Sequence, residues 1–408
     1  MAAPVPNSQQ EMRRRNLARV LHAVSEGGPA SRASVAARIG LTRAAVSTLV
    51  DELLRAELLV ELGPGRPGGV GRPGSALALT DRGPCGVGAE IGVDRLAVCA
   101  VDLRGEVRAR ASAPFGNRGG DPAAAAARLG ELVERVTAEV APEGLRPAGL
   151  AVAVPGLIAR GTATVVRAPN LGWRGVDLVP LLPAGLPLTV DNEANFGALA
   201  ELWLGTADAP RDFIHVSAEI GIGGAVVLDG ELLRGARGFA GELGHVPVRP
   251  EGPRCACGGR GCLEQYAGEE AVLRAAGLPY GDDTGAHVAL LADRAAAGDT
   301  ATRRALRDAG TALGIALAGA VNLLDPRAVV LGGALARLGP WLLPSLEREL
   351  ADRTAAPDAI PELIVSAAGD KGPLLGAAHS VVRAVLDDPL AYGPGQGPAG
   401  LRSAAAPV

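Results

Sequence analysis

One segment limits the fold of this 408-residue chain more than any other. It reads Glu242-Leu243-Gly244-His245 and then, after a short gap, Cys255-Ala256-Cys257-Gly258-Gly259-Arg260-Gly261-Cys262-Leu263-Glu264. One imidazole and three thiolates complete a tetrahedral shell around Zn²⁺ and leave no position open. Such a site is structural, with one ion per chain held by His245, Cys255, Cys257 and Cys262. The interspersed glycines let the backbone bend tightly around the ion. The competing reading is a loop of free reduced thiols. Cys85 and Cys99 stand apart and read as core or boundary residues.

Length suits two or three domains. Hydrophobic residues make up 48% and charged residues 21%, an ordinary globular balance. No apolar run reaches the roughly 18 residues of a spanning helix, and Met1 to Arg15 lacks the layout of a signal peptide. The chain is therefore expected to be cytoplasmic, with no membrane partner. Five cysteines, three of them clustered, then point to metal rather than disulfides. The net charge of −4 is uneven: residues 1–82 hold 11 Arg against 7 Asp or Glu, a net +4, which leaves −8 for the rest. A basic front end on an acidic body suits contact with a polyanion.

Residues 1–10 are polar and expected to be disordered. From Glu11 to Ser25, Leu17, Val20, Leu21 and Val24 recur at helical spacing. Gly27, Gly28 and Pro29 end that helix. Ser31 caps a second helix carrying Val35, Ala36 and Ile39, which Gly40 stops. Thr42 caps a third, with Val46, Leu49, Val50, Leu53 and Leu54 as its buried stripe. Leu58–Val60 and Leu77–Leu79 read as two short strands around a Gly/Pro/Arg loop, Gly63 to Gly74. This is a winged helix-turn-helix over residues 11–82. Its third helix would enter the major groove of double-stranded operator DNA by its N-terminal end. Thr42, Arg43, Ala44, Ser47 and Thr48 lie off the apolar stripe, within reach of bases or phosphates. Arg66 and Arg72 in the wing suit a phosphate or the minor groove. The alternative is a helical module for protein contacts.

From Gly86 the texture alternates between strand and helix, which marks an α/β body. Val87–Val93, Ala97–Leu103, Leu150–Val154, Phe213–Val216, Ala225–Leu228 and Ala328–Leu331 read as strands, and Thr189-Val190 ends another. Pro122–Val140, Asn195–Leu204 and Ala301–Leu323 read as helices. Residues 388–408, rich in Pro, Gly and Ala, are expected to be disordered. No sequence repeat is visible.

Taken together, these residues resemble the ROK family (repressors, open reading frames, kinases). The run from Gly221-Ile222-Gly223-Gly224 through Leu228-Asp229-Gly230 to Gly238, Gly241 and Gly244-His245 is similar to its signature. The Glu242/His245 pair and the three-cysteine segment resemble its zinc motif. Pro169-Asn170-Leu171 with Trp173, and Asp191-Asn192-Glu193-Ala194-Asn195, resemble its sugar-site segments. Leu323-Leu324-Asp325-Pro326 with Leu331-Gly332-Gly333 resembles its nucleotide-side segment. The resemblance covers about residues 11–386, winged head included.

It implies an actin-like (ribonuclease H-like), two-lobed body of the sugar-kinase type. One lobe takes residues 86–204 plus a returning helix at 372–386, and the other takes residues 205–371 with the zinc site. It also implies that Asn170, Asn192, Glu193, Glu242, His245 and Glu264 surround a sugar. Carboxylates and amides in fixed positions are what sugar hydroxyls require. With zinc on one nitrogen, the other nitrogen of His245 is left for a hydroxyl.

Family kinases open with an Asp-x-Gly-Gly-Thr phosphate loop, which here reads Glu90-Ile91-Gly92-Val93-Asp94. Backbone N–H groups cradle phosphate only where side chains stand aside. Val93 intrudes, while Asp94 and, in a second loop, Glu219 add like charge costing on the order of several kcal/mol. Glu193 replaces the catalytic aspartate, and its extra methylene shifts the carboxylate by roughly an ångström. Glu193 is thus assigned to holding a hydroxyl, and no catalytic residue is expected. The expected function is a sugar-responsive transcription regulator, a repressor of carbohydrate genes acting as a homodimer or homotetramer. The alternatives are an ATP-dependent sugar kinase with a DNA-binding head, and a constitutive DNA-binding protein whose body only dimerises.

Overall fold

The structure is a computed structural model describing residues 9–64, 75–183, 185–205, 209–218, 221–280, 284–356 and 360–392. In the head, α1 (Gln9–Gly27) turns Leu17, Val20, Leu21 and Val24 inward. The Ser31 hydroxyl accepts the Ser34 N–H to start α2 (Arg32–Ile39), and Gly40 closes it at φ 67. The Thr42 hydroxyl accepts the Ala45 N–H to start α3 (Arg43–Arg55), which buries Val46, Leu49, Val50 and Leu53. Leu54 is only half-buried, at the margin of that stripe. The wing strands β1 (Leu59–Pro64) and β2 (Ser75–Leu79) pair antiparallel, and an Ala30–Leu77 bridge fastens them to the helices. Both strands outrun their apolar residues, because the ladder, not burial, carries their outer ends. Arg66 and Arg72 lie outside the described residues, as do residues 1–8 and 393–408.

Two expectations of disorder need correcting. Gln9 and Gln10 already belong to α1. Residues Pro389–Tyr392 form a 3₁₀ turn. Charge pairing explains the order: the Arg14 guanidinium donates to both Asp388 carboxylate oxygens, and His22 Nε2 lies 2.6 Å from Asp387 Oδ1.

The body opens with β3 (Gly83–Ile91), β4 (Arg95–Val101) and β5 (Val107–Pro114). Then come α4 (Pro122–Val140), β6 (Leu145–Val154), β7 (Leu157–Ile158), β8 (Thr164–Ala168), β9 (Trp173–Asp177), β10 (Leu188–Asn192) and α5 (Glu193–Leu204). The second half runs β11 (Phe213–Ala218), β12 (Ile222–Leu228), β13 (Glu231–Leu232), α6 (Glu264–Ala267), α7 (Glu269–Ala275), α8 (Thr284–Ala296) and α9 (Thr300–Leu324). It ends with β14 (Ala328–Gly332), α10 (Gly333–Arg353), β15 (Glu362–Val365) and α11 (Gly372–Asp387).

The two five-stranded sheets repeat one plan, β10-β6-β3-β4-β5 and β13-β12-β11-β14-β15. In each, an antiparallel meander of three strands is extended by two parallel strands on the far side of its first member. This duplication is the actin-like, two-lobed architecture. It is a repeat of topology, not of sequence. Val93, expected within a strand, instead sits in the turn between β3 and β4, where Asn117 donates its N–H to the Val93 carbonyl at 2.8 Å. The small sheet β7-β8-β9 is inserted in the first lobe between β6 and β10.

Helix α11 returns to the first lobe and lies against β3 unusually closely. A Cβ on Gly86 would fall 2.2 Å from the Ala378 carbonyl oxygen. Beyond α11, the head core (Leu17, Leu21, Leu53) is continuous with Val385 and Leu386 at the end of that helix.

Candidate functional site

A cleft of about 870 Å³, counting its open mouth, is lined by Asn170, Asn192, Glu193, Glu242, His245 and Glu264 together with Val93, Gly156, Ser217 and Cys257. The six residues come from both lobes, so folding brings together positions nearly a hundred apart in sequence.

On the first-lobe side, Asn192 caps α5. Its Oδ1 accepts the Ala194 N–H at 2.7 Å, and its Nδ2 donates to the Gly156 carbonyl at 2.9 Å. Behind it, the buried Asp191 Oδ1 accepts the Asn192 N–H at 2.8 Å and Asn195 Nδ2 at 2.7 Å. The end of β10 is therefore fixed before any ligand arrives. Glu193 is the first residue of α5, where the helix dipole favours a negative charge.

On the second-lobe side, glycines press a loop flat against β12. A Cβ on Gly224 would lie 2.5 Å from the Gly241 carbonyl oxygen, and one on Gly244 would lie 2.3 Å from that of Ile222. That close approach sets Glu242 and His245 beside the strand. Glu242 Oε2 lies 3.7 Å from His245 Nε2. Burial pushes the Glu242 carboxyl above its usual range, against the pull of His245 and with the help of Glu264. Glu264 opens α6 and points at Gly221: a Cβ there would lie 2.4 Å from Glu264 Oε2 and 3.6 Å from Asn170 Nδ2.

The ring of His245 faces two ways. Its Nδ1 lies 3.8 Å from Cys255 Sγ, while its Nε2 faces Glu242. The ligand atoms of His245, Cys255, Cys257 and Cys262 all lie within 4.8 Å of one another. Cys257 Sγ and Cys262 Sγ are 3.7 Å apart, and a tetrahedral site with Zn–S near 2.3 Å has an edge of about 3.8 Å. The residues thus fit a tetrahedral dication. The loop is pre-bent, since Gly258 N–H donates to the Cys255 carbonyl at 3.0 Å and Cys255 N–H to that of Gly259 at 2.9 Å. Without metal, burial pushes the Cys255 thiol up and that of Cys262 up to about 12. A bound dication reverses this, because it coordinates thiolate.

The first phosphate loop is closed on itself. Glu90 is buried, and its Oε1 accepts from Arg95 at 3.0 Å; Arg95 also donates to the Asp370 carbonyl at 3.4 Å. Val93 lines the cleft. Glu219 lies outside the described residues.

In the head, Thr42, Arg43, Ala44 and Thr48 are exposed and Ser47 is half-buried. The Thr42 hydroxyl is engaged as a cap, and the Thr48 hydroxyl donates to the Ala44 carbonyl at 3.3 Å. Several of the head's arginines are held by carboxylates, though only the pair with Asp388 draws on its net basic excess. Arg13 pairs with Glu52, Arg14 with Asp388, and Arg32 with Asp51 and Glu61. Sequence reasoning missed the arginines that bridge the cleft, Arg167 and Arg234, since long-range pairing leaves no local spacing to read.

The ROK family model matches residues 86–384. The chain belongs to the ROK family. This ROK protein is 31% identical over 373 residues to the xylose repressor of Bacillus spizizenii, covering 90% of the chain and 95% of that protein. Its fold is similar to that of a ROK family transcriptional regulator described as a homologue of the E. coli MLC protein, with a TM-score of 0.77, 27% identity, and 93% and 98% of the two chains covered. It is also similar to a ROK family glucokinase from Streptomyces griseus in complex with glucose and AMPPNP, with a TM-score of 0.61, 27% identity, and coverage of 72% and 98%. The likeness to regulators runs through the head as well as the body, which puts this ROK protein in the regulator branch. No helix among the described residues is long and apolar enough to cross a membrane.

Proposed function

We propose that this ROK protein is a sugar-responsive transcriptional repressor that binds operator DNA through its winged head and a sugar in its interlobe cleft. The observation that carries the reading is the convergence of Asn170, Asn192, Glu193, Glu242, His245 and Glu264 on one cleft, in a chain that also presents the start of a recognition helix to solvent. Three carboxylates, two amides and an imidazole match a polyhydroxylated ligand. The names of its relatives make D-xylose the first effector to try.

His245, Cys255, Cys257 and Cys262 would hold one zinc ion, with His245 bound through Nδ1. When bound, zinc supplies a charge that keeps the thiolates deprotonated and the imidazole fixed. His245 Nε2 then meets a sugar hydroxyl, and Glu242 accepts from the same region. The DNA contacts assigned to Thr42, Arg43, Ala44, Ser47 and Thr48 follow from their place on the exposed start of α3. Arg66 and Arg72 are proposed to add wing contacts.

Loss of kinase activity is supported by Val93 in the cleft wall and by the Glu90–Arg95 pair, which set side chains where a phosphate cradle needs bare backbone N–H groups. Glu193 then holds a hydroxyl instead of deprotonating it. The route from cleft to head is α11, whose last turn carries Asp387 and pairs with His22 of α1. A sugar that changes the angle between the lobes moves α11, and with it the spacing of two heads in a dimer or tetramer. A gel shift with the upstream DNA of its own gene, with and without D-xylose, tests this reading; absence of any shift at low salt contradicts it. The competing ATP-dependent kinase reading predicts ADP release in a coupled assay over a sugar panel.

A further inference from the structure

We infer that Arg167 is a positioning residue that fastens one wall of the sugar cleft to the other through the metal loop. The inference rests on the cleft being a sugar site.

Arg167 sits on β8, in the small sheet inserted into the first lobe. Its guanidinium crosses to the second lobe, donating to the Ala256 carbonyl at 2.6 Å and to the Cys257 carbonyl at 3.3 Å. These are consecutive peptide groups between two of the expected metal ligands. A planar fork of donors fits two adjacent carbonyls in a way that a single ammonium does not.

The backbone of Arg167 reaches the opposite wall. Its carbonyl oxygen lies 2.4 Å from where a Cβ on Gly156 would stand, and Gly156 is held at φ 120. The carbonyl of that same Gly156 accepts from Asn192 Nδ2 at 2.9 Å. One residue thus abuts the peptide that holds Asn192 and grips the loop that carries Cys257, whose neighbouring ligand Cys255 touches His245. Arg167 is not among the residues that line the cleft, so it acts through them.

A second arginine crosses in the opposite direction. Arg234, in the second lobe, pairs with the buried Asp191, which fixes the Asn192 backbone. The same loop meets the first lobe again where Arg160 N–H donates to the Arg237 carbonyl at 3.1 Å. Guanidiniums therefore cross in both directions, and the one from the second lobe lands on Asp191, next to Asn192. Ligand that bridges the walls gains from walls already held at the right separation.

The test is isothermal calorimetry with D-xylose and a monosaccharide panel on the zinc-loaded full chain, comparing wild type, Arg167→Met and Arg167→Lys. Arg167→Met is expected to keep one zinc per chain and sugar-free operator affinity within about twofold. Its sugar Kd should rise about tenfold, the scale of losing a forked, charge-assisted pair of hydrogen bonds. Arg167→Lys, which keeps the charge but gathers its donors on a single nitrogen, should recover part of that loss, and it serves as the measurement if the methionine variant fails to fold. A sugar Kd within twofold of wild type in both variants overturns the inference, as does zinc lost in step with sugar affinity. Wild type that binds no sugar contradicts the sugar-site reading itself, a distinct outcome.

Discussion

Replacing His215 by Gln should remove a specific part of this protein's acid sensitivity. His215 lies on β11 and is 3% exposed. Glycines on both sides leave room for its ring: a Cβ on Gly197 would lie 2.8 Å from Nε2, and one on Gly332 would lie 2.6 Å from Cε1. Its Nδ1 has no hydrogen-bond partner among the described residues. Burial alone pulls the imidazole from 6.5 down to about 4. Between those values the unfolded chain takes up a proton that the folded one refuses. Stability is thus fully present above about pH 6.5 and is lost as pH falls toward 4. The gap is worth about 3.4 kcal/mol at its limit and about 2 kcal/mol at pH 5. Glutamine does not titrate, so the stability difference between wild type and His215→Gln should shift by about 2 kcal/mol in favour of the variant from pH 8 to pH 5. Paired thermal melts at the two pH values read this directly. The other acid-sensitive groups, the metal ligands included, are common to both proteins and cancel. Parallel pH profiles for the two proteins would refute the assignment of a buried neutral imidazole.

Three other perturbations probe separate regions of the molecule. Zinc should copurify at about one ion per chain; Cys257→Ser should lower both metal content and Tm, and unchanged metal content refutes the ligand set. Gly224→Ala places a Cβ 2.5 Å from the Gly241 carbonyl oxygen, so it should cost about 1–3 kcal/mol of stability and weaken sugar binding by displacing Glu242; an unchanged sugar Kd in calorimetry contradicts that placement. Arg43→Ala should weaken operator binding and reduce its salt slope by about one with no effect on sugar affinity; an unaltered operator titration removes Arg43 from the interface.

Local chemistry was legible in the sequence where a single segment carries it. The helix Pro122–Val140 has the expected bounds because Asp121 caps it and Pro122 suits its first turn. The four metal ligands lie within eighteen residues of one another, so their spacing alone suggested a shared site. Strand ends were less legible. Val93 is apolar yet lies in a turn, and β1 runs on through Glu61-Leu62-Gly63, because backbone pairing fixes those ends and side-chain periodicity does not. The duplicated sheet plan left no trace as a sequence repeat, since topology is set by which strands pair and many sequences serve. The arginine links were hidden for the same reason: Arg167 meets Ala256 and Arg234 meets Asp191 only after both lobes have formed. The head's charge count also overstated its free excess in part, because Arg14 pairs with Asp388 from the far end of the chain only after folding.

One chain here joins a head suited to reading DNA to a cleft suited to sensing a sugar. The most direct measurement is a fluorescence anisotropy titration of the zinc-loaded protein against labelled upstream DNA of its own gene, in low salt, with and without D-xylose and a panel of other monosaccharides. Specific binding that one sugar weakens at least about tenfold is expected. Binding that no sugar alters, or no binding at any salt concentration, would contradict it.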